Sequence, residues 1–308
     1  MILIISIDND YSTTAVIEWL NFFKKKWIRV NQNQKIFLDF INDDIIFRTN
    51  EISFKLSEIT SCWYRRGFLN LNFKVSCKIK KIEDFNIIES SKVEQYIYYK
   101  LSLLKNINKF TNSTVNKLIV SEIARNLEIK TPNDYLVNTK NELRKIITNN
   151  KQEFITKSIW GNPTYRFDNF SLFNYTQKVD IKKIETNNFA LSLVQNYIDK
   201  KYELRIFYLD ESFYSMAIFS QNNMQKTVDF RNSNTDKPIR TVPFLLPKEI
   251  QKKLTILMKK LDLNCGSIDM VVNTNNEYFF IEVNPIGQFG MVSFPCNYNL
   301  EKVIANYL

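Results

Sequence analysis

The 308-residue sequence contains no histidine. This absence excludes Ser-His-Asp and Cys-His nucleophilic catalysis, and it excludes zinc sites built on histidine. The four cysteines lie far apart and form no CxxC pair, so a zinc cluster or a disulfide framework is not expected and a reducing, cytoplasmic setting is favoured. Any catalysis must therefore use carboxylates, Lys, Arg, backbone dipoles or a hard metal ion.

Glycine and proline are also scarce, at 5 and 7 residues, which argues against an all-β architecture with many tight turns. No run of about 18 apolar residues is present, so no membrane span is expected. The first ten residues, MILIISIDND, are apolar up to Asp8 and Asp10 and carry no basic region. They predict a buried first strand and not a signal peptide.

Positive charge is in excess, at +10 with a pI near 9.2. An anionic partner such as nucleic acid, a nucleotide phosphate or an acidic peptide fits this charge. The alternative is that the Lys and Asn content follows an A/T-biased genome. No RNP-like or Cys/His nucleic-acid motif is present, so nucleic acid is not an expected partner.

The order of predicted elements indicates an α/β protein. The chain starts as strand, loop and helix, and the loop has no GxGxxG pattern for a dinucleotide. Further strands are predicted over 36–40, 45–48 and 61–65. Apolar residues from Val93 to Ile107 follow a 4-4-3-3 spacing, which predicts a helix that closes the first domain.

The remaining segments predict a similar alternation. Asn112, Ser113 and Thr114 offer N-caps to a helix that reaches Leu127. Helices are also predicted over 141–149 and 248–261, the latter from its 4-3-4 apolar spacing. Strands are predicted over 153–159, 203–209 and 213–220, and two final strands, SIDMVV and EYFFIEV, are predicted to form a hairpin.

This final hairpin carries a candidate metal site. Side chains of a strand alternate between faces, so Glu282 and Asn284 share a face. A tight turn at 274–276 places Asp269 across from residue 281, within one residue. Three oxygen donors would then converge, and Mg²⁺ prefers such ligands. The alternative, two merely exposed carboxylates, fits less well because both lie within apolar strands.

The segment GSIDMVV…EYFFIEVNP resembles the signature of the ATP-grasp superfamily. The resemblance implies that Asp269, Glu282 and Asn284 bind two Mg²⁺ ions that bridge ATP phosphates, with Asn284 also counted as catalytic. It implies an α/β (α+β) ATP-grasp fold behind a Rossmann-like pre-ATP-grasp domain. The expected domains are 1–108, 109–192 and 193–308.

Other segments resemble the nucleotide site of that family. Lys117 in NKL and Lys157 in ITKSIWGNP resemble its two phosphate-binding lysines. VQNYIDKKYELR resembles its hinge, with Glu203 facing the ribose and Arg205 the phosphates as a catalytic and ATP-binding residue. The residues implied to hold adenine are Gln195, Asn196, Tyr197 and Ile198. An ordinary strand-turn-strand is the alternative for this segment.

A narrower resemblance concerns the reaction. CWYRRG, VDFR and FIEVNPIGQFGMVS are similar to segments of ribosomal-peptide-modifying ATP-grasp ligases, namely the microviridin-type macrocyclases and the grasp-with-spasm maturases. Arg231 of VDFR would then be catalytic and would contact the γ-phosphate and the substrate carboxylate. Phe230 stands where relatives often carry Trp, and the loop SIWGNP holds a single glycine. The alternative for WYRR is a buried strand flanked by structural arginines.

The implied activity is the ATP-dependent joining of Asp or Glu side chains of a precursor peptide, with its leader and core, to Ser/Thr hydroxyls or Lys amines. The carboxylate would first become an acyl phosphate. A homo-oligomer, most simply a dimer, is expected. One alternative is a ligase that adds amino acids to a protein or to a small-molecule carboxylate, and another is a non-catalytic ATP-grasp scaffold or binding module.

Overall fold

The computed structural model describes residues 1–73, 79–161, 164–173, 175–219 and 239–308. Two compact units emerge from the packing of the chain. The first unit comprises residues 1–114, 263–265 and 288–308, and the second comprises residues 115–262 and 266–287. In the described part of the chain, every helix is too short or too polar to span a bilayer.

The described residues form both helices and strands. Up to residue 114 the elements are β1 (Ile2–Ser6), α1 (Tyr11–Phe22), β2 (Trp27–Asn31), β3 (Lys35–Ile41), β4 (Asp44–Arg48), β5 (Ser53–Lys55), β6 (Ser61–Tyr64), β7 (Asn70–Leu71), α2 (Lys80–Ser102) and β8 (Lys105–Ile107). The later elements are α3 (Lys117–Asn126), β9 (Asp134–Thr139), α4 (Lys140–Asn150), β10 (Phe154–Lys157), β11 (Thr164–Arg166), β12 (Ser171–Phe173), β13 (Gln177–Lys178), β14 (Asn188–Asn196), β15 (Lys200–Leu209), β16 (Ser212–Phe219), β17 (Arg240–Phe244), α5 (Lys248–Lys260), β18 (Cys265–Asn273), β19 (Tyr278–Asn284), α6 (Gly290–Cys296) and α7 (Leu300–Tyr307). The predicted strands and helices are confirmed within the described residues, with the exceptions given below; residue 220 of the predicted strand 213–220 lies outside them.

A parallel sheet of order β2-β1-β6-β8 forms the core of the first unit. All five residues of β1 are buried, as expected for an apolar run at the centre of a parallel sheet. Asp10 is the N-cap of helix α1, and its carboxylate accepts from the Ser12 N–H. The helix buries Val16, Ile17 and Leu20. A smaller sheet of order β5-β4-β3-β7 belongs to the same unit.

The prediction of one helix through residue 107 is wrong. Helix α2 ends at Ser102, and residues 105–107 form β8, which pairs in parallel with β6. The apolar spacing continued past the helix because Ile107 is fully buried as part of the sheet. The apolar character of Ile107 therefore indicated that the residue is buried, but not that it belongs to the helix.

The C-terminal helix completes the first unit. Helix α7 packs against α1, and the Lys25 ammonium donates to the Ala305 and Asn306 carbonyls at 2.9 and 3.0 Å. A cation at the end of a helix satisfies carbonyls that lack partners within it. Residues 288–308 thus pack with the first unit, whereas they were expected to belong to a domain of residues 193–308. The three-domain division stays a prediction.

The second unit contains a sheet of order β13-β10-β14-β9 and a sheet of order β17-β16-β15-β18-β19. Helix α4 follows β9 through a capping box of Thr139 and Glu142. Helix α3 begins one turn later than predicted. Its N-cap is Asn116, whose side chain accepts from the Leu118 and Ile119 N–H groups, so the predicted caps Asn112, Ser113 and Thr114 are wrong.

Candidate active site

The hairpin of β18 and β19 brings three predicted ligands together. Asp269 lies directly opposite Glu282, and the pairing register shifts between Asp269 and Met270. The predicted partner was residue 281 within one residue, and the observed register agrees with it. Asn284 lies two residues after Glu282 on β19 and is exposed. Its Oδ1 accepts from the Ile286 N–H at 3.1 Å, which orients the amide.

The backbone at Gly287 lies very close to Ser267 of this hairpin. A Cβ on Gly287 would lie 2.0 Å from the Ser267 Oγ and 2.5 Å from the Ser267 nitrogen. Only glycine permits that approach without displacing the chain. Ser267 is buried and pairs with Asn284 across the hairpin, so Gly287 sets how closely the segment after Asn284 returns to β18.

Two cations from other elements pair with the hairpin carboxylates. The Lys117 ammonium, at the start of α3, lies 3.0 Å from the Glu282 carboxylate. It also donates to the Ser158 carbonyl at 3.3 Å. On β15, Arg205 donates to an Asp269 oxygen at 2.6 Å. Positive and negative groups of the predicted site therefore neutralise one another across four elements, α3, β15, β18 and β19.

The electrostatics of these groups differ. Burial raises the pKa of the Asp269 carboxyl, against the opposing charge of Arg205. Burial acts in the same direction on Glu282, but the Lys117 and Lys157 ammonium groups outweigh it and hold the pKa of that carboxyl below its usual range. Burial lowers the pKa of Lys157, although the Glu282 charge opposes this. The two lysines and the two carboxylates thus interact as one electrostatic cluster.

The predicted hinge links the two sheets of the second unit. Strand β14 ends at Asn196, and β15 begins at Lys200. The Gln195 side chain is buried and donates to Asp134 at 2.6 Å. The Tyr197 N–H donates to the Glu153 carbonyl at 2.8 Å, so this group is engaged within the protein. Ile198 is half-buried between the two strands.

A buried lysine at the hinge was missed by the sequence analysis. The Lys200 ammonium lies 2.6 Å from the Glu203 carboxylate, and the lysine is 7% exposed. Strand alternation places Lys200 and Glu203 on opposite faces, which is why their contact was not predicted. The neighbouring Lys201 is exposed, so the residue type alone does not show which of the two lysines is buried.

Two further segments carried predicted roles. Phe230 and Arg231 of VDFR lie outside the described residues. In CWYRRG, Arg65 is buried, lies 3.2 Å from Asp10 and stands over the Phe289 ring at 5.4 Å. That environment supports the alternative interpretation of this arginine as structural.

The oxygen donors fit a hard metal ion by their chemistry. In the described ranges, no three Cys, Asp or Glu side chains assemble into a metal-binding group. The hairpin instead offers the carboxylates of Asp269 and Glu282 together with the Asn284 amide oxygen. Mg²⁺ accepts few protein oxygens and completes its shell with water and phosphate, so this small donor set suits it.

The model of the RimK-like ATP-grasp domain family matches residues 114–308. The chain belongs to this family. The match contains every predicted site residue, and it confirms the ATP-grasp fold and the class of ATP-dependent ligases. No curated protein matches the chain in sequence.

Solved structures of ATP-grasp ligases share the fold over the whole chain. A RiPP-associated ATP-grasp ligase of Chryseobacterium gregarium, in complex with ADP and a leader and core peptide, is 24% identical with a TM-score of 0.80 and covers 99% of this chain and 94% of its own. The macrocyclase MdnC of Microcystis aeruginosa MRC, bound to precursor peptide MdnA, is 23% identical with a TM-score of 0.77 and covers 100% and 98%. The ligase PsnB with a minimal precursor is 12% identical, with a TM-score of 0.73 and the same coverage.

Proposed function

We propose that this protein is an ATP- and Mg²⁺-dependent ligase that crosslinks a ribosomal precursor peptide. It activates Asp or Glu side chains of the peptide as acyl phosphates and joins them to Ser/Thr hydroxyls or Lys amines. The observation that carries the proposal is the cluster in which Lys117 contacts Glu282 and Arg205 contacts Asp269, beside Asn284.

This cluster suits a metal nucleotide because its charges can exchange partners. The carboxylates of Asp269 and Glu282, with the Asn284 amide, would hold Mg²⁺, which supplies neutralisation of phosphate charge. Lys117 and Arg205 would then turn from the carboxylates to phosphate oxygens. Each charged side chain keeps an opposite charge beside it in both states, which limits the cost of leaving a half-buried charge unpaired.

Lys157 strengthens this assignment. It lies on β10, opposite Leu193 of β14, and the negative charge of Glu282 stabilises its ammonium form. An ammonium that burial disfavours gains from an arriving anion, so a phosphate is a favourable partner for it. Lys117, Lys157 and Arg205 would together stabilise the charge that moves during phosphoryl transfer.

We place the adenine at the link between β14 and β15. Gln195 and Asn196 end β14, Tyr197 and Ile198 follow in the link, and the half-buried Tyr197 and Ile198 offer an apolar wall. The nearby Glu203 would take the ribose hydroxyls. Lys200 holds the Glu203 carboxylate through its ion pair and acts as a positioning residue.

The chemistry is balanced without histidine. A substrate carboxylate oxygen attacks the γ-phosphorus of ATP, the bond from that phosphorus to ADP breaks, and an acyl phosphate forms. A peptide amine or hydroxyl then attacks the acyl carbon, phosphate leaves and the nucleophile loses a proton. The chain's own contribution is positioning and electrostatic stabilisation. Arg231 is our candidate for the contact with the transferring phosphate.

The peptide as substrate is supported by the similar structures. The Chryseobacterium ligase is bound to a leader and core peptide, and MdnC is bound to a precursor peptide. PsnB has also been seen with a minimal precursor, Mg and ADP. The +10 charge of the present chain fits a partner that carries carboxylates.

Mass spectrometry of a precursor peptide tests the proposal. With ATP and Mg²⁺, we expect ADP, phosphate and a peptide lighter by one water for each bond formed. Lys117→Met should abolish this product. The matched control Lys201→Met removes an exposed lysine of the same unit that contacts Asn276, and it should leave the product unchanged. A peptide heavier by a phosphoryl group or an amino acid would contradict the proposal, as would an unchanged peptide mass.

A further inference from the structure

The second arginine of CWYRRG, Arg66, lies beside the ion pair of Arg65 and Asp10. Its side chain is 35% exposed, and its Nε lies 3.8 Å from an Asp10 carboxylate oxygen, which is beyond hydrogen-bond distance. Within the part of the chain that the structure describes, this Nε is buried and donates no hydrogen bond. Arg66 thus combines a buried donor that lacks an acceptor with a guanidinium group that solvent can reach.

Positive charge is in excess at this point of the first unit. Arg65 lies closer to Asp10, at 3.2 Å, so two guanidinium groups share one carboxylate. Burial lowers the pKa of the Arg65 guanidinium, the Asp10 charge opposes this, and the Arg66 charge adds to it. Asp8, on the same loop as Asp10, is engaged elsewhere, because its carboxylate accepts from asparagine side chains at and after the end of β2. An anion would therefore be a favourable partner, since buried charge is costly unless it is paired.

The position of Arg66 in the sheet is typical of a ligand site. In the order β2-β1-β6-β8, the chain leaves β1 toward β2 on one side and returns to β6 on the other side of β1. In open parallel sheets, ligands bind outside the carboxyl ends of the strands at the point where the strand order reverses. Asp10 follows the carboxyl end of β1, and Arg65 and Arg66 follow that of β6. The three charged groups therefore flank this reversal.

The main chain fixes Arg66 at this point. The Arg65 and Arg66 N–H groups both donate to the Ile5 carbonyl, at 2.9 and 3.2 Å. Gly67 follows with a φ of +74°, and a Cβ there would lie 2.9 Å from the side-chain oxygen of Gln32. A left-handed conformation so close to a neighbour favours glycine. A guanidinium group on such a fixed main chain has less freedom to lose on binding, which favours affinity.

We propose that Arg66 binds a side-chain carboxylate of the precursor peptide and forms a substrate-binding site at the carboxyl ends of β1 and β6. This inference rests on the proposed function, because the peptide substrate supplies the ligand. The planar fork of an arginine matches a carboxylate through two parallel hydrogen bonds. A carboxylate also carries the single negative charge that balances two arginines and one aspartate, whereas a phosphate group carries more.

A small probe tests the site without the precursor. N-acetylglutamate α-amide carries one side-chain carboxylate, and N-acetylglutamine α-amide is its neutral match. In the full chain, the Nε–H resonance of Arg66, identified by its absence in Arg66→Lys, should shift with the first compound and not with the second at equal ionic strength. Equal shifts with both compounds would overturn the proposal. A larger shift with inorganic phosphate at the same concentration would assign the site to phosphate, which would overturn it as well.

Turnover of a precursor that passes the mass-spectrometric test provides the second measurement. Arg66→Met should raise the KM for the peptide about 10- to 100-fold, the loss expected for a hydrogen bond to a charged group. The KM for ATP should not change. Arg66→Lys keeps the charge without the fork, so its KM for the peptide should lie between those of Arg66→Met and the wild-type chain. Arg48→Met removes an equal charge from an exposed pair of the same unit and should leave both KM values unchanged.

A double-mutant cycle identifies the bound carboxylate. Each Asp and Glu of the precursor is replaced by Asn or Gln, and at one position the replacement should weaken binding to the wild-type chain but not to Arg66→Met. Losses that are additive at every position would overturn the proposal, as would a peptide KM that Arg66→Met leaves unchanged. If Arg66→Met does not fold by circular dichroism, Arg66→Lys takes its place in the cycle. A chain that modifies no peptide would refute the proposed function, whereas the Nε–H shift would still decide whether Arg66 binds a carboxylate.

Discussion

Two arginine–aspartate pairs of this protein look alike in chemistry and differ in setting. Arg65 and Asp10 of the first unit have side chains that are 3% and 7% exposed, whereas Arg205 and Asp269 of the second unit are 12% and 25% exposed. Asp10 also caps helix α1, and Arg65 stands over Phe289. Asp269 instead lies beside further oxygen donors on an open strand face. The first pair is enclosed by the fold, while the second can exchange its partners for a ligand.

The exposure of the two pairs distinguishes a structural ion pair from a functional one more clearly than their charges do. Both pairs cost desolvation energy, and neither is a large source of stability by itself. The enclosed pair can only stay as it is, because water and ligands do not reach it. In the open pair, the Asp269 carboxylate can bind a cation and the Arg205 guanidinium can bind an anion. The predictions below test this distinction, beginning with the largest expected effect.

Arg65→Met should destabilise the first unit strongly. It leaves the buried Asp10 carboxylate with only the more distant Arg66 guanidinium at 3.8 Å, so the loss should approach about 3–5 kcal/mol of unfolding free energy, which is the cost of breaking a buried pair. Urea denaturation measures the loss. The control Arg48→Met breaks an exposed pair with Asp39 at 2.6 Å and should cost no more than about 1 kcal/mol. If Arg65→Met kept full stability and changed only the affinity for peptide, the pair would belong to the substrate site.

Glu282→Gln should show the opposite pattern. The folded state should persist, since Lys117 keeps a polar partner at the same position, while turnover falls by about 10²–10³-fold or more through loss of charge stabilisation. ADP release at saturating Mg²⁺ measures this effect. Glu277→Gln, on the same hairpin and paired with Lys130, is the matched control and should retain activity. Near-normal turnover of Glu282→Gln would remove Glu282 from the metal site.

Gly287→Ala tests the backbone support of the open pair. Its new Cβ would collide with Ser267, so the chain after Asn284 must shift at a cost of about 1–3 kcal/mol. Thermal unfolding of the variant reports this cost. Gly161→Ala meets nothing within 4 Å and provides the comparison. A Gly287→Ala protein as stable as Gly161→Ala would show that the close approach is not required.

Salt should weaken precursor binding but should leave the contribution of the enclosed Arg65–Asp10 pair to stability unchanged. The Debye length falls from about 30 Å at 0.01 M to about 10 Å at 0.1 M salt, which screens exposed charges but acts much less on buried ones. We expect the dissociation constant of the precursor to rise several-fold over this range, by fluorescence anisotropy. The destabilisation by Arg65→Met should stay nearly constant. Affinity that is flat with salt would exclude the +10 charge from recognition.

The site hairpin was predictable because short-range rules determine it. Strand alternation and a tight turn set Asp269 against Glu282 and put Asn284 on the same face. The pairing of Lys117 with Glu282 was not predictable in this way, since it joins the start of α3 to β19 through packing. The contact of Lys200 with Glu203 breaks alternation at the beginning of a strand. Periodicity along the sequence therefore predicts neither contacts between distant segments nor contacts at the end of a strand.

The same limit explains the errors in the fold. Ile107 has the interval of a helix, but it is buried by pairing with a strand formed from residues far earlier in the chain. Asn116, and not a residue of 112–114, caps α3 because the preceding segment forms a separate turn at Phe110–Asn112. Several residue types could cap that helix equally well, so the local sequence does not choose among them.

The first unit is built from three separate stretches of chain, and this affects how it can be made. Helix α7 packs against α1, and the Ser61 hydroxyl donates to the Leu308 carbonyl across the unit. During synthesis, helix α1 lacks this packing partner until residues 300–307 have been made. Nascent chains that carry only the first 114 residues would expose the face of α1 that α7 covers, and exposed apolar surface favours aggregation. A fragment ending there would consequently be a poor choice for expressing this unit alone.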